Sequence, residues 1–358
     1  MKKENTDVRE LYTGVAILLW AALGLSERSG AVHRILLCTA VPMLTVSAGA
    51  ALKEKESTVR SAARVLLIPY GWFSLLLTAG YAAGTLLWPD RITGNEAVSE
   101  LTGRIVSGLI FYGSGSLWLL PALFLAMLLW WGLRRFLKPS AAATVMCLLA
   151  LCYMILHTSQ AFFIASMMEE RGLRGIAIRL IFVLWRAILI GPFLLFGMWL
   201  SSLGPVLRKM RKESVGAAAV MLAAGIALAC CSYGFDPEQL LLGKAWCSIP
   251  AAILISGGAY LLCDWVGEIR PVNLCGRYAM ILYIALTEFG IIAAAKKLGE
   301  MVFLRFDHNF ATKITMILTV LVLSVITAAI LRLPVFSFLF GKKRPSSAED
   351  DGLTMRGR

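Results

Sequence analysis

Residues 58–72 read TVRSAARVLLIPYGW and run from a basic pair directly into an apolar segment. Arg60 and Arg64 are four residues apart, so a helix places both side chains on one side. The apolar residues that follow continue to about position 88, which is long enough to cross a hydrocarbon core. The stretch therefore predicts a membrane-spanning helix over 65–88. Its two arginines are interpreted as anchors at the membrane surface, as ligands for the phosphates of an anionic cofactor, or as both.

The composition is that of a membrane protein. The 358 residues are 58% hydrophobic and only 16% charged, with a mean hydropathy of +0.74, whereas a soluble domain carries about a quarter charged residues. The apolar residues form long runs, and residues 121–131, 145–156 and 314–331 are nearly free of charge. With their flanks, such runs approach the ~20 residues that a membrane-spanning helix needs. We therefore expect an all-α fold, a polytopic transmembrane helical bundle.

About ten segments are predicted to span the membrane. They lie at about 11–25, 34–52, 65–88, 117–137, 141–157, 180–202, 214–232, 245–266, 274–295 and 312–333. These spans make residues 1–340 one transmembrane domain, and the polar tail at 341–358 is expected to be disordered and cytoplasmic. A shorter apolar piece near 105–113 is expected to form an outer loop or a re-entrant segment.

The basic residues flank the predicted spans. A formal net charge of +13 would suggest nucleic-acid binding in a soluble protein, but no folded soluble region remains to carry that function. If the N-terminus is inside, most of the 35 Lys and Arg residues fall on the inner side, which predicts a cell-membrane protein with both termini cytoplasmic. The eight cysteines form no C-x-x-C pair, so neither a disulfide framework nor a metal site is expected.

Two charged residues fall inside predicted spans, at similar depth in the outer half of the membrane. Arg186 lies in FVLWRAILI and Glu288 in YIALTEFGII. Because a charge in hydrocarbon is costly, both should face the bundle interior and pair. The pair is either an ion pair that locks two helices, or part of a polar cavity in which Glu288 is a base and Arg186 steadies an anion.

A family resemblance follows from five segments. RSAARVLLIPY at residues 60–70 resembles the start of the third span in the acyltransferase-3 family of integral membrane O-acyltransferases, which includes bacterial O-acetylases of surface polysaccharides. Four further segments resemble segments of that family, in the same order: PMLTVSAG (42–49), GSLWLLPALFL (115–125), GPFLLFGMWLSS (191–202) and LCGRYAMILYIAL (274–286).

The resemblance implies transfer of an acyl group, usually acetyl from acetyl-CoA bound on the cytoplasmic side. The acceptor would be a hydroxyl of a cell-envelope glycan or lipid-linked sugar near the outer face, so the implied process is polysaccharide modification. By the same analogy, Arg60 and Arg64 are candidates for binding the CoA phosphates.

The chain departs from the family where the family carries histidines. The base expected at the end of the first span falls on Gly24, or on Leu25 if the register slips by one, and the ninth-span histidine falls on Thr287. Transfer to a hydroxyl needs a base and stabilisation of the oxyanion. Glu288 and His157, which ends the fifth span, are the candidate replacements for the base.

The other two histidines are expected to be bystanders. His33 is interpreted as an interfacial side chain and His308 as a solvated residue of an outer loop. Because the expected histidines are missing, two alternatives to an enzyme stay open. One is a catalytically inactive relative that binds or exports a lipid or sugar intermediate, and the other is a transporter in which Glu288 couples transport to protons.

Overall fold

The computed structural model describes residues 2–26, 30–55, 58–87, 94–113, 115–167, 173–209, 211–232 and 235–288, together with scattered positions between 291 and 330. The secondary structure of these residues is helical, apart from one isolated β-bridge between Asp236 and Leu241. This confirms the all-α class that the composition predicts.

Eleven α-helices are described, and a 3₁₀ turn at Gly115–Trp118 precedes the fifth. The helices are α1 (Lys2–Leu25), α2 (Ala31–Lys55), α3 (Val59–Leu87), α4 (Gly94–Leu109), α5 (Leu119–Phe136), α6 (Pro139–Met167), α7 (Leu173–Lys209), α8 (Arg211–Cys231), α9 (Ala245–Val266), α10 (Arg270–Arg277) and α11 (Ala279–Glu288). Within the described ranges, eight are long and apolar enough to cross a membrane: α1, α2, α3, α5, α6, α7, α8 and α9. The chain is therefore a polytopic helical bundle, as predicted.

Helix α2 lies in the centre of the bundle and packs against α1, α7, α8 and α9. Its contact with α7 is made backbone to backbone. A Cβ on Gly49 would collide with the carbonyl oxygen of Leu194, and a Cβ on Gly197 would collide with that of Val46. Small residues allow helices to approach this closely in a membrane, where van der Waals packing drives association. The two glycines therefore fix how α2 and α7 cross.

The spans alternate in direction, so their ends gather at two ends of the bundle. One end, which we call the basic end, holds the start of α1 and α3 and the C-terminal arginines of α5 and α10. The opposite end holds the end of α1, the start of α2 and the connection from α8 to α9. Residues 235–242 of that connection form a short hairpin closed by the Asp236–Leu241 bridge, and we call this the hairpin end.

The predicted ninth span, 274–295, is interrupted near its start. Helix α10 ends at Arg277 and α11 begins at Ala279, and the backbone leaves helical geometry at Tyr278 between them. The tenth predicted span lies largely outside the described residues, and the tail at 341–358 lies wholly outside them.

The region near 105–113 is the end of α4 and the turn that follows it. The hydroxyl of Tyr70, in the middle of α3, donates a hydrogen bond to the carbonyl oxygen of Gly108 at 3.0 Å. The end of α4 therefore packs at the depth of the middle of α3, as a re-entrant segment would.

Candidate functional site

The hairpin at residues 235–242 is anchored in the bundle by its apolar side chains. Phe235, Leu240 and Leu242 are at most 3% exposed, and the ring of Phe235 packs edge-on against Phe193 of α7 with centroids 5.6 Å apart. Leu240 adopts a φ of 56°, a left-handed conformation that is unusual for a residue with a side chain. The hydroxyl of Tyr153 donates to the Leu240 carbonyl at 3.2 Å, which helps to hold this turn.

Arg186 of α7 joins the hairpin to the turn before α5. Its Nε donates to the carbonyl oxygen of Glu238 at 2.7 Å, and its Nη1 donates to that of Tyr112 at 2.8 Å. The guanidinium also lies 4.8 Å from the ring centroids of Tyr112 and Phe182 and 5.2 Å from that of Trp118. The side chain is only 4% exposed, so it faces the bundle interior, as predicted.

Glu288, at the end of α11, is held by the 3₁₀ turn. Its Oε1 accepts hydrogen bonds from the backbone N–H of Ser116 at 2.7 Å and from the Ser116 hydroxyl at 3.0 Å. The Thr287 hydroxyl in turn donates to the Ser116 oxygen. Gly115, with a φ of 54°, lies so close to the carboxylate that a Cβ there would collide with it.

Arg186 and Glu288 do not form the direct ion pair that the sequence predicts. Among the contacts described, Arg186 binds two backbone carbonyls and Glu288 binds Ser116. Because Arg186 is surrounded by aromatic faces and carbonyl dipoles, its charge is stabilised without a carboxylate in contact.

A cavity of about 570 Å³ opens at the hairpin end, and we call it the hairpin cavity. Its lining consists of Trp20, Leu23, Gly24, Ser26, His33, Leu37, Val41, Trp118, Phe235, Asp236, Pro237, Glu238, Gln239, Thr287 and Ile292. Gly24 and Thr287, the two positions where the family resemblance predicts histidine, lie on its wall. Arg186 and Glu288 are not part of the lining, although Thr287 connects Glu288 to it through Ser116.

Three ionisable side chains line this cavity, and the sequence predicted a catalytic role for none of them. His33, predicted to be an interfacial bystander, is half-buried, and its Nδ1 is 2.7 Å from the hydroxyl oxygen of Ser26. Asp236 accepts hydrogen bonds through Oδ1 from the backbone N–H groups of Glu238 at 3.0 Å and Gln239 at 3.3 Å. Glu238 is the third.

The two hairpin carboxyls have perturbed affinities for protons. Burial raises the pKa of Glu238 to about 7, and the neighbouring Asp236 adds to the increase, while Arg186 opposes it. Burial also raises the pKa of Asp236, although the backbone donors of Gln239 and Glu238 counteract it. Glu238 therefore titrates near neutral pH, where a general acid or base works best.

Two tryptophans present donors at the hairpin cavity. The indole nitrogens of Trp20 and Trp118 are buried and make no full hydrogen bond within the described part of the chain. The Trp118 N–H nevertheless faces the Glu238 carboxylate and favours its charged form. A buried donor without an acceptor costs about 1–3 kcal/mol, so the Trp118 N–H gains from facing the Glu238 carboxylate.

A second cavity, of about 610 Å³, opens at the basic end, and we call it the basic cavity. It is lined by Leu52, Lys53, Trp130, Trp131, Arg134, Arg135 and Met198. The guanidinium of Arg134 lies 5.6 Å from the ring centroid of Trp130. Cationic heads beside indole rings suit an anionic ligand with an aromatic part.

Arg60 and Arg64 lie at the start of α3, at the same end of the bundle. Both are exposed, and neither belongs to the lining of the basic cavity. Their role in binding a cofactor therefore stays a prediction, and the basic cavity is a site that was not predicted from the sequence. The sequence feature that could have indicated this cavity is WWGLRR at 130–135, where a basic pair follows two tryptophans.

His157 lies in α6, but its side chain is outside what the structure describes, and His308 is also outside the described residues. In the described part of the chain, no cluster of three or more His, Cys, Asp or Glu side chains could hold a metal ion.

The bundle is that of an integral membrane protein, with a polar cavity at one end and a basic aromatic cavity at the other. The sequence profile of the acyltransferase-3 family, described as an acyltransferase domain, matches residues 11–333, and the chain therefore belongs to this family. Neither a curated protein nor a solved structure matches the chain significantly.

Proposed function

We propose that this protein transfers an acyl group, most simply acetyl, from acyl-CoA to a hydroxyl of a cell-envelope glycan or lipid-linked sugar. The observation that carries the proposal is that both positions of the missing family histidines, Gly24 and Thr287, line one polar cavity. In a member of an acyltransferase family, a cavity at these positions that also holds ionisable side chains supports a reaction site.

The donor is proposed to bind at the basic end, which we place in the cytoplasm with both termini. The basic cavity supplies Lys53, Arg134 and Arg135 for phosphates, and the faces of Trp130 and Trp131 for an adenine ring. Arg60 and Arg64 add exposed positive charge at the same end, where they would attract the polyanionic donor.

The acceptor is proposed to bind in the hairpin cavity, on the opposite side of the membrane. Its wall offers carboxylates to accept hydrogen bonds from sugar hydroxyls. Because the two cavities lie at opposite ends of the bundle, the acyl thioester of the bound donor would have to reach through the bundle to the hairpin cavity, where the acceptor attacks it.

The predicted catalytic roles of Glu288, Arg186 and His157 remain predictions. A base role for Glu288 requires a relay, because its carboxylate reaches the cavity only through the hydroxyls of Ser116 and Thr287. For Arg186, the contacts support a positioning role in which it holds the hairpin through the Glu238 carbonyl.

The first test is consumption of radiolabelled acetyl-CoA by the purified protein in nanodiscs. We expect label to appear as an acetyl ester or as free acetate, and acetyl-CoA binding to weaken in the double variant Arg60→Ala/Arg64→Ala. A wild-type protein that neither binds nor consumes acetyl-CoA would refute the proposal, and a role in binding or exporting a lipid or sugar intermediate would replace it.

A further inference from the structure

We infer that Glu238, on the hairpin, is the general base that takes the proton from the acceptor hydroxyl. This inference rests on the proposed function and names the residue that does its central chemistry. It follows from the position of Glu238 on the cavity wall, from the hydrogen bonds of its neighbours and from the contact that fixes its backbone.

The other two ionisable residues that line the cavity have hydrogen-bond partners of their own. The Oδ1 of Asp236 accepts two backbone N–H groups and thereby shapes the hairpin turn. The Nδ1 of His33 is bound to Ser26 on the same cavity wall, and its charge acts on Asp236. Glu238 is the carboxylate on this wall whose partners leave a proton-accepting role open, because the indole of Trp118 faces it without a full hydrogen bond.

The surroundings of Glu238 suit this role. The groups that act on it are Asp236 on its own hairpin, Arg186 of α7, Trp118 before α5, and Glu288 and Tyr283 of α11. Burial and the two carboxylates favour the protonated form, whereas Arg186 and Trp118 favour the carboxylate. The balance raises the pKa of Glu238 to about 7, so near neutral pH it can both accept a proton and release it.

Arg186 is the positioning residue for this base. It donates at 2.7 Å to the carbonyl oxygen of Glu238 and at 2.8 Å to that of Tyr112, and so fixes the hairpin against the turn that leads to Trp118. The buried Phe235 fixes the start of the same hairpin against α7. These contacts hold the backbone of Glu238 rather than its carboxylate, which faces Trp118 on the cavity wall.

The chemical step transfers the acyl group from acyl-CoA, the co-substrate, to the acceptor hydroxyl. The acceptor O–H gives its proton to the Glu238 carboxylate while its oxygen attacks the acyl carbon, forming a C–O bond. The tetrahedral intermediate then collapses, and the bond between the acyl carbon and the CoA sulfur breaks. The thiolate takes up a proton, for which Glu238 is the source through water, and the carboxylate is restored.

The test compares Glu238→Gln with Glu288→Gln and with Glu100→Gln, a control on an exposed carboxylate that pairs with Arg104 on α4. The readout is the rate of acetyl-CoA consumption in nanodiscs as a function of pH. Wild type should gain activity with rising pH through about 7 as Glu238 ionises. Glu238→Gln should lose about 100- to 10,000-fold, and its remaining rate should lack this pH dependence.

The outcomes show whether Glu238 or Glu288 is the base. A Glu288→Gln variant that is slower but keeps the rise near pH 7 supports the inference. If Glu238→Gln keeps both the rate and the pH dependence, Glu238 is not the base, while the proposed function stands on the wild-type activity. If wild type consumes no acetyl-CoA, the proposed function fails and the inference fails with it. Thermal unfolding of each variant confirms that a lost rate does not reflect a lost fold.

Discussion

Gly115 shows how a single residue shapes the site. It combines a φ of 54° with a position so close to the Glu288 carboxylate that no other residue fits there without strain. Glu288 in turn holds Ser116 through two hydrogen bonds, and Ser116 contacts Thr287 on the cavity wall. The position of this wall of the hairpin cavity therefore depends on residue 115 having no side chain.

We predict that Gly115→Ala lowers the free energy of unfolding by about 1–3 kcal/mol, because it forces a side chain into the left-handed region and displaces Glu288. Gly132, which is helical in α5 and has open space where a Cβ would lie, is the matched control. Gly132→Ala should be neutral or stabilising by about 0.5–1 kcal/mol. The midpoint of thermal unfolding measures both, and equal shifts would contradict the role of Gly115.

At the residue scale, sequence reasoning located the buried charges but not their partners. Arg186 and Glu288 stand out because each interrupts an apolar run. Their actual partners are two backbone carbonyls and a serine, and these carry no signature in the sequence. Glu238 and Asp236 were missed because a polar loop between spans is ordinary, and this loop differs through the burial of Phe235, Leu240 and Leu242.

At the scale of elements, the glycine contact between α2 and α7 fixes the frame of the hairpin cavity. Helix α2 carries His33, and α7 carries the Arg186 that holds the hairpin. Since Gly49 and Gly197 bring the two backbones into contact, the relative position of these helices is set by steric fit rather than by flexible side chains.

We predict that Gly197→Leu separates α2 from α7 and destabilises the protein by about 1–3 kcal/mol through overpacking. Gly71→Leu is the control, because Gly71 is exposed on α3 and has open space around it. Thermal unfolding in nanodiscs should show a lower midpoint for the first variant only. A similar effect of both would mean that the α2–α7 contact tolerates a larger spacing.

The elements themselves were largely predictable, because long apolar runs have few alternatives in a membrane. Eight predicted spans are helices of sufficient length in the structure. The break at Tyr278 was not predictable, because the residues on both sides are good helix formers and tertiary contacts decide it. There, Gly14 and Gly276 bring α1 and α10 together, with Gly14 against the carbonyl of Val272 and Gly276 against that of Glu10.

At the scale of the whole molecule, the two cavities divide the proposed substrates between opposite ends of the bundle. The basic cavity is rich in cations and indoles, and the hairpin cavity is rich in carboxyls. The basic cavity would attract the proposed anionic donor more strongly than the hairpin cavity would, so the charge distribution favours binding of the two proposed ligands at different ends.

We predict that Arg134→Ala/Arg135→Ala weakens acetyl-CoA binding by about tenfold or more, since a hydrogen bond to a charged group contributes about 1.5–3 kcal/mol. Titration calorimetry in nanodiscs at two salt concentrations measures this loss and its screening. If Arg60→Ala/Arg64→Ala weakens binding and the Arg134/Arg135 change does not, the donor binds at the start of α3 and not in the basic cavity.

Helix α2 runs from the hairpin cavity to the basic cavity. His33 lines one and Lys53 lines the other, and the roughly twenty residues between them span about 30 Å of helix. Although Pro42 removes one backbone hydrogen bond from α2, the helix is continuous from one cavity to the other, so a tilt of the whole helix moves both ends. A displacement of the whole helix therefore changes the shape of both cavities together. The crossing with α7 near Gly49 is the point about which α2 would turn.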